Sequence, residues 1–356
     1  MVTTAFAYAY IPSYGCQPDF NQSDALPSCK SPDLAPGAPC CGKDNNMGWR
    51  YLLLTIGSLT MFVFIMRFVV FRFQESPKYL LYRGQDEKAA RVLQKVAKFN
   101  KQECNVTVQT FENLTTEADS MGSGAAMLGG GSKQLQASTW EKVKLEGARY
   151  KLLFNGFAMS RLTVLVFLIY ICDYWGFTVA GSFLPQALTA KNSAAGTTSV
   201  KASYRSYVYI YLPGIVGVLL GVLTYDLPRV GRQATIVVSS ALMAVSLFLF
   251  ATVNTYAANI GLNVMEYFFQ SMFNAVLYGW TPEAFPAPIR GTACGVASFW
   301  GRLFSIISPL VAQSLLSAEP TVGEYNRVFI MAGGVTIGCI VFSALLPRKM
   351  IGGDSM

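Results

Sequence analysis

The stretch Leu277–Arg302, LYGWTPEAFPAPIRGTACGVASFWGR, decides how the rest of the chain is read. An apolar run reaches it from Gly261, broken by Glu266, and a second apolar run leaves it after Arg290. Pro282, Pro286 and Pro288 each remove a backbone donor and restrict the residue before them, so the first helix is expected to stop at Pro282. Glu283 and Arg290 then place opposite charges in the connecting turn. Gly291, Gly295 and Gly301 thin one side of the following run, which lets a neighbouring backbone come close. Two packed helices joined by a charged elbow predict a moving part in a membrane.

The rest of the chain supports a membrane setting. Of its 356 residues, 52% are hydrophobic and only 13% charged, too little polar surface for an ordinary soluble globule. The net charge of +8 sits between apolar runs, where the positive-inside bias accounts for it, so no nucleic-acid partner is expected. There is no histidine, hence no usual triad base and none of the commonest metal ligand. The eight cysteines contain no CxxC pair. Metal, cofactor and enzyme chemistry are therefore not expected.

Residues 1–10 are apolar but far shorter than the roughly 20 needed to cross a bilayer, and read as the tail of a helix whose beginning is absent. Residues 1–48 as a whole read as that stub followed by an outward-facing loop, with Cys16, Cys29, Cys40 and Cys41 as disulfide candidates of open pairing and Asn21 as a glycosylation candidate. A first complete span covers 49–73. Residues 74–155 then carry a short helix opened by Ser76 and Pro77, an amphipathic basic helix from Asp86, and a Gly/Ser-rich linker at 122–132. The positive charge of this segment assigns it to the cytoplasm.

Six more spans are expected within 156–347, at about 162–188, 207–225, 234–253, 260–281, 293–316 and 328–346, with 348–356 as a cytoplasmic tail. The fold class is thus all-α and membrane-embedded, with about seven transmembrane helices. Setting the first span aside leaves six that divide into three and three of opposite orientation, the outline of an inverted repeat. Gly214, Gly217 and Gly221, and later Gly334 and Gly338, predict close helix packing.

Asp173 and Glu266 fall inside spans, where a charged side chain costs roughly 2.5 kcal/mol or more unless it faces protein or water. They are candidates for proton or solute binding, with Arg302 as a possible charge partner. Gln270 and Asn274 follow Glu266 at four and eight residues on one helix side, and with Tyr278 they draw a polar stripe suited to a solute pathway. Glu75, Asp226, Arg232, Glu283 and Arg290 lie at converging helix ends, where pairing would hold the inner side shut.

Three motifs resemble the major facilitator superfamily, most closely its sugar-porter and synaptic-vesicle-glycoprotein-like branch, particularly fungal members. Glu75-Ser76-Pro77-Lys78 resembles the PESPR signature after the sixth helix. Pro282-Glu283-Ala284-Phe285-Pro286 with Arg290-Gly291 resembles the PExFPxxxRxxG signature after the tenth. Asp226-Leu227-Pro228-Arg229-Val230-Gly231-Arg232 is similar to the second DRxGRR loop, with Leu227 and Pro228 departing from it, and brings Gly231 into the cytoplasmic gate set. Ile171-Cys172-Asp173-Tyr174-Trp175 stands where sugar porters carry a QQxSG-like motif.

The resemblance implies a chain that begins near the end of the fifth of twelve helices, so that it holds the last helix of an N-terminal half and all of a six-helix C-terminal half. It further implies alternating access between two halves, a small organic solute with protons as partners besides the bilayer, and a missing N-terminal half. The alternatives are a seven-helix receptor-like protein and a truncated product that does not transport.

Overall fold

The computed structural model describes residues 2–16, 26–31, 38, 40–70, 75–82, 85–111, 147, 150–194, 200–225, 227, 231–286 and 289–347. The Gly/Ser-rich linker, Asn21 and Asp226 lie outside them. The described residues include the eleven helices named below and no strand beyond an isolated bridge between Ser28 and Cys41. The helices are α1 (Val2–Tyr10), α2 (Gly48–Val70), α3 (Pro77–Tyr82), α4 (Asp86–Phe99), α5 (Phe157–Ala194), α6 (Val200–Tyr211), α7 (Gly214–Tyr225), α8 (Gly231–Thr252), α9 (Tyr256–Ala284), α10 (Arg290–Gln313) and α11 (Val322–Ala344).

Among the described residues six helical segments are long and apolar enough to cross a membrane: Gly48–Val69, Phe157–Lys191, Val200–Tyr225, Gly231–Thr252, Arg290–Gln313 and Val322–Ala344. The expected seventh, α9, runs for 29 residues but falls short on hydropathy, because Asn259, Asn263, Glu266, Gln270 and Asn274 interrupt it. Within the third span α6 and α7 meet at Leu212-Pro213, where proline supplies no N–H for the helical ladder. The protein is an integral, multi-pass membrane protein.

The elbow differs from its sequence reading in one detail. Helix α9 continues through Pro282 to Ala284. This close to the end of a helix one missing N–H costs a single ladder bond, and proline's fixed φ is compatible with helical backbone. The break falls instead at Phe285 and Pro286, and α10 begins at Arg290.

Two compact units emerge. One comprises Met66–Thr163 and Pro282–Gly295. In it α3 packs on α4, and Leu80, Ala89, Ala90 and Phe111 form a small core with Leu81, Val92, Leu93 and Val106. Pro77 opens α3 at the first helical position, where its absent N–H is no loss.

The other unit comprises Met1–Ile65, Val164–Thr281 and Val296–Met356. Its core is built from α5 (Val179, Ala180, Phe183, Leu184, Ala187), α8 (Leu247, Phe250, Ala251), α10 (Ala312) and α11 (Tyr325, Val328, Phe329, Ala332). Helices α8 and α11 pack along their length, with Phe250 and Phe329 edge to face at 4.7 Å. At the end of α11, Gln233 Nε2 donates to the carbonyls of Ser343 at 2.9 Å, Ala344 at 3.1 Å and Leu346 at 3.3 Å, groups that a helix terminus leaves without intrahelical donors. The other end of α11 carries a capping box between Thr321 and Glu324.

Glycine sets the helix spacing where side chains would not fit. A Cβ on Gly217 would stand 2.4 Å from the Phe268 carbonyl oxygen, and one on Gly221 3.1 Å from that of Met272, so α7 rests on α9 backbone to backbone. Gly301 of α10 similarly admits the Tyr174 ring of α5. The loop between α1 and α2 holds the disulfides Cys16–Cys41 and Cys29–Cys40.

Candidate functional site

The polar stripe of α9 faces α5. Gln270 Nε2 donates to Asp173 Oδ1 at 2.8 Å, and the two residues are each 2% exposed. One helical turn away, Glu266 is 8% exposed and lies within electrostatic reach of Asp173. Three of the residues singled out in the sequence are therefore brought together: Asp173, Glu266 and Gln270. Asn274 continues the same face, and its Oδ1 is buried with no hydrogen-bond partner among the described residues. Gln270 Oε1 is likewise buried and without a partner among them.

Tyrosines flank the two carboxylates. Tyr211 and Tyr267 meet edge to face at 4.5 Å, and both feel the Glu266 charge. On the Asp173 side, Tyr170 stacks with Tyr174 at 6.3 Å, meets Tyr278 at 5.7 Å and hydrogen-bonds Thr281 Oγ1 at 3.1 Å. Tyr278 is 43% exposed, so the stripe leads from a buried acid pair towards an accessible ring.

The stripe extends further than the sequence reading took it. Asn259 and Asn263 precede Glu266 at seven and three residues, fully or nearly buried, with Asn263 Nδ2 donating to the Asn259 backbone carbonyl at 2.7 Å. Their spacing of four and then three residues already carried that signal.

Arg302 does not join the acids. It is exposed on α10, and among the described residues no ion pair links it to Asp173 or Glu266. Lys191, which lies beyond the end of the expected span at 162–188, is 1% exposed at the end of α5. Its Nζ donates to the Phe250 carbonyl and, at 2.9 Å, to that of Val253, and it sits 4.2 Å from the centre of the Phe250 ring. It thus satisfies one carbonyl in the last turn of α8 and one just past its end.

Of the residues expected at the inner gate, Arg232 lies with its guanidinium 4.3 Å from the Tyr225 ring centre, and Gly231 starts α8 at φ +65, a conformation costly for a residue with a Cβ. Glu75 and Glu283 are exposed and Arg290 is partly buried, all three in the smaller unit. The Arg290 Nε is buried without a hydrogen-bond partner among the described residues.

The family model of the Major Facilitator Superfamily matches residues 166–351, more than half the chain and all of the acid–amide site. The chain belongs to the major facilitator superfamily. This facilitator chain is 32% identical over 316 residues to an uncharacterized MFS-type transporter of Schizosaccharomyces pombe, covering 86% of the chain and 56% of that relative. It is 31% identical over 322 residues to MFS siderochrome iron transporter 1 of Ceriporiopsis subvermispora, covering 90% of the chain and 59% of the relative. The chain spans a little over half the length of these relatives. Among solved structures it is similar in fold to the proton:xylose symporter XylE, with a TM-score of 0.57 and 17% identity over 86% of the chain and 58% of that structure.

Proposed function

We propose that this facilitator chain supplies the C-terminal, solute-handling half of a secondary transporter that moves a small organic solute across a membrane by alternating access, with protons as the coupling ion. The observation that carries the reading is the buried Asp173–Gln270 hydrogen bond with Glu266 beside it, inside the region matched by the family model. Buried ionisable groups at membrane depth are costly to keep, and pathways for ions and solutes are where they occur. The ligand atoms available are carboxylates and amide oxygens facing one another across α5 and α9, two helices of one compact unit. The remaining half of the pathway comes from a second set of helices that closes against the inner end bearing Arg232. A receptor has no need of the facilitator motifs at these ends, so the transporter reading is preferred.

The test is uptake of a panel of labelled solutes into vesicles that carry the chain alone, or the chain fused behind the N-terminal half of the Schizosaccharomyces pombe relative. The fusion is expected to accumulate a solute when an inward proton gradient is imposed, and Asp173→Asn to reduce that uptake at least about tenfold. Accumulation indifferent to the gradient would remove proton coupling. No gradient- or solute-dependent uptake by the fusion would sink the transporter reading itself.

A further inference from the structure

We propose that Asp173, Glu266 and the carbonyl oxygen of Gln270 form a binding site for the head of a protonated amine, flanked by tyrosine rings that take its organic body. The inference deepens the transporter reading, on which its meaning as cargo recognition rests.

The first observation is an imbalance of charge. Two carboxylates occupy buried positions on facing helices, and α9 contains no lysine or arginine at all. In α5 the basic residues are Arg161, near its start, and Lys191, at its far end and committed to the α8 carbonyls. Arg302 is exposed and pairs with neither acid. No side-chain cation is therefore joined to either acid in an ion pair among the described residues.

The second observation concerns neutral groups and is independent of the first. Gln270 commits its Nε2 to Asp173, which leaves Oε1, on the same buried amide, as an acceptor with no donor among the described residues. Asn274 Oδ1 is a second buried acceptor on the same helix face with no partner among them. A buried acceptor left unpaired loses its hydration without replacement. What the site lacks is a positive charge carrying several N–H donors, and an ammonium group bonded to carbon has that description. A carboxylate-bearing solute would meet like charge at Asp173 and Glu266.

The third observation selects an organic cation over a bare metal ion. Tyr211 and Tyr267 lie beside Glu266, and Tyr170, Tyr174 and Tyr278 beside Asp173. Aromatic faces attract ammonium groups and cover the apolar carbon attached to them. Among the described residues no group of three or more acidic or cysteine side chains is placed to hold a metal ion.

The test is equilibrium binding of radiolabelled phenethylammonium to the chain in lipid nanodiscs, with hydrocinnamate, phenylpropanol and the trimethylated phenethylammonium as unlabelled competitors. Phenethylammonium is expected to bind saturably. Hydrocinnamate and phenylpropanol should compete at least about tenfold more weakly, and the trimethylated analogue should lose affinity because it has no N–H to offer Gln270. Asp173→Asn and Glu266→Gln, near-isosteric changes, should each weaken binding about tenfold while size-exclusion elution is unchanged. Competition by the carboxylate or the alcohol equal to or better than the amine would overturn the amine assignment and leave the transporter reading standing with a different cargo. Absence of saturable amine binding to the wild-type chain would overturn the site. Failure of the vesicle uptake alongside intact amine binding would instead count against transport.

Discussion

Replacing Lys191 by Met tests how the larger unit is held at one end. The ammonium donates two charge-assisted hydrogen bonds to the Phe250 and Val253 carbonyls, each worth about 1.5–3 kcal/mol. It also sits at the C-terminus of α8, where a cation gains up to about 2 kcal/mol from the helix dipole. Against this stands the cost of burying an ammonium to 1% exposure, several kcal/mol after relaxation. The balance, about 2–3 kcal/mol, is the expected destabilisation when methionine fills the space and leaves the carbonyls without a donor. For a folding unit of roughly 150–250 residues this lowers the melting temperature by about 5–10 °C. The assay is thermal unfolding of the purified chain in detergent followed by circular dichroism, at low and high salt. The loss should be insensitive to salt, because the pair is shielded from solvent. An unchanged or raised melting temperature in Lys191→Met would refute the reasoning and identify the lysine as a net burden on the fold.

Gly217→Val should separate α7 from α9, since even a Cβ would stand 2.4 Å from the Phe268 carbonyl oxygen; loss of monodisperse protein or a destabilisation of about 2 kcal/mol or more is expected, measured by size exclusion and melting. Alkylation of the denatured chain without reductant, read by mass spectrometry, should label Cys104, Cys172, Cys294 and Cys339 and leave Cys16, Cys29, Cys40 and Cys41 unmodified until reduction.

Much of the architecture could be read from local signals. The apolar runs announced the spans, Pro77 and Asp86 marked the starts of α3 and α4, and the glycines of α7 announced a close approach. Each of these is a one-dimensional property of the chain, so one sequence suffices to show it. What could not be read depends on rotation and on backbone partners. Lys191 looks like a loop charge because its acceptors are carbonyls of a helix 59 and 62 residues away, and carbonyls have no letter in a sequence. Arg302 was expected near the acids because it shares their depth, yet depth does not fix the direction a side chain takes around a helix axis. Asp173 and Gln270, 97 residues apart, were each legible as buried polar groups, but their hydrogen bond was not. Pro282 signals a helix end in the sequence, yet proline disturbs a final helical turn little, and α9 runs on to Ala284.

The seating of α7 on α9 makes the two sides of one short helix answer to different rules. On the inward side, Gly214, Gly217 and Gly221 are buried and leave room for nothing larger. On the outward side, Ile215, Val216, Leu219, Val222 and Leu223 are between 50% and 65% exposed and ask only to be greasy. Random mutagenesis of these twelve residues should therefore return a two-toned map, with free exchange among aliphatic residues along one edge and intolerance on the opposite side of the axis.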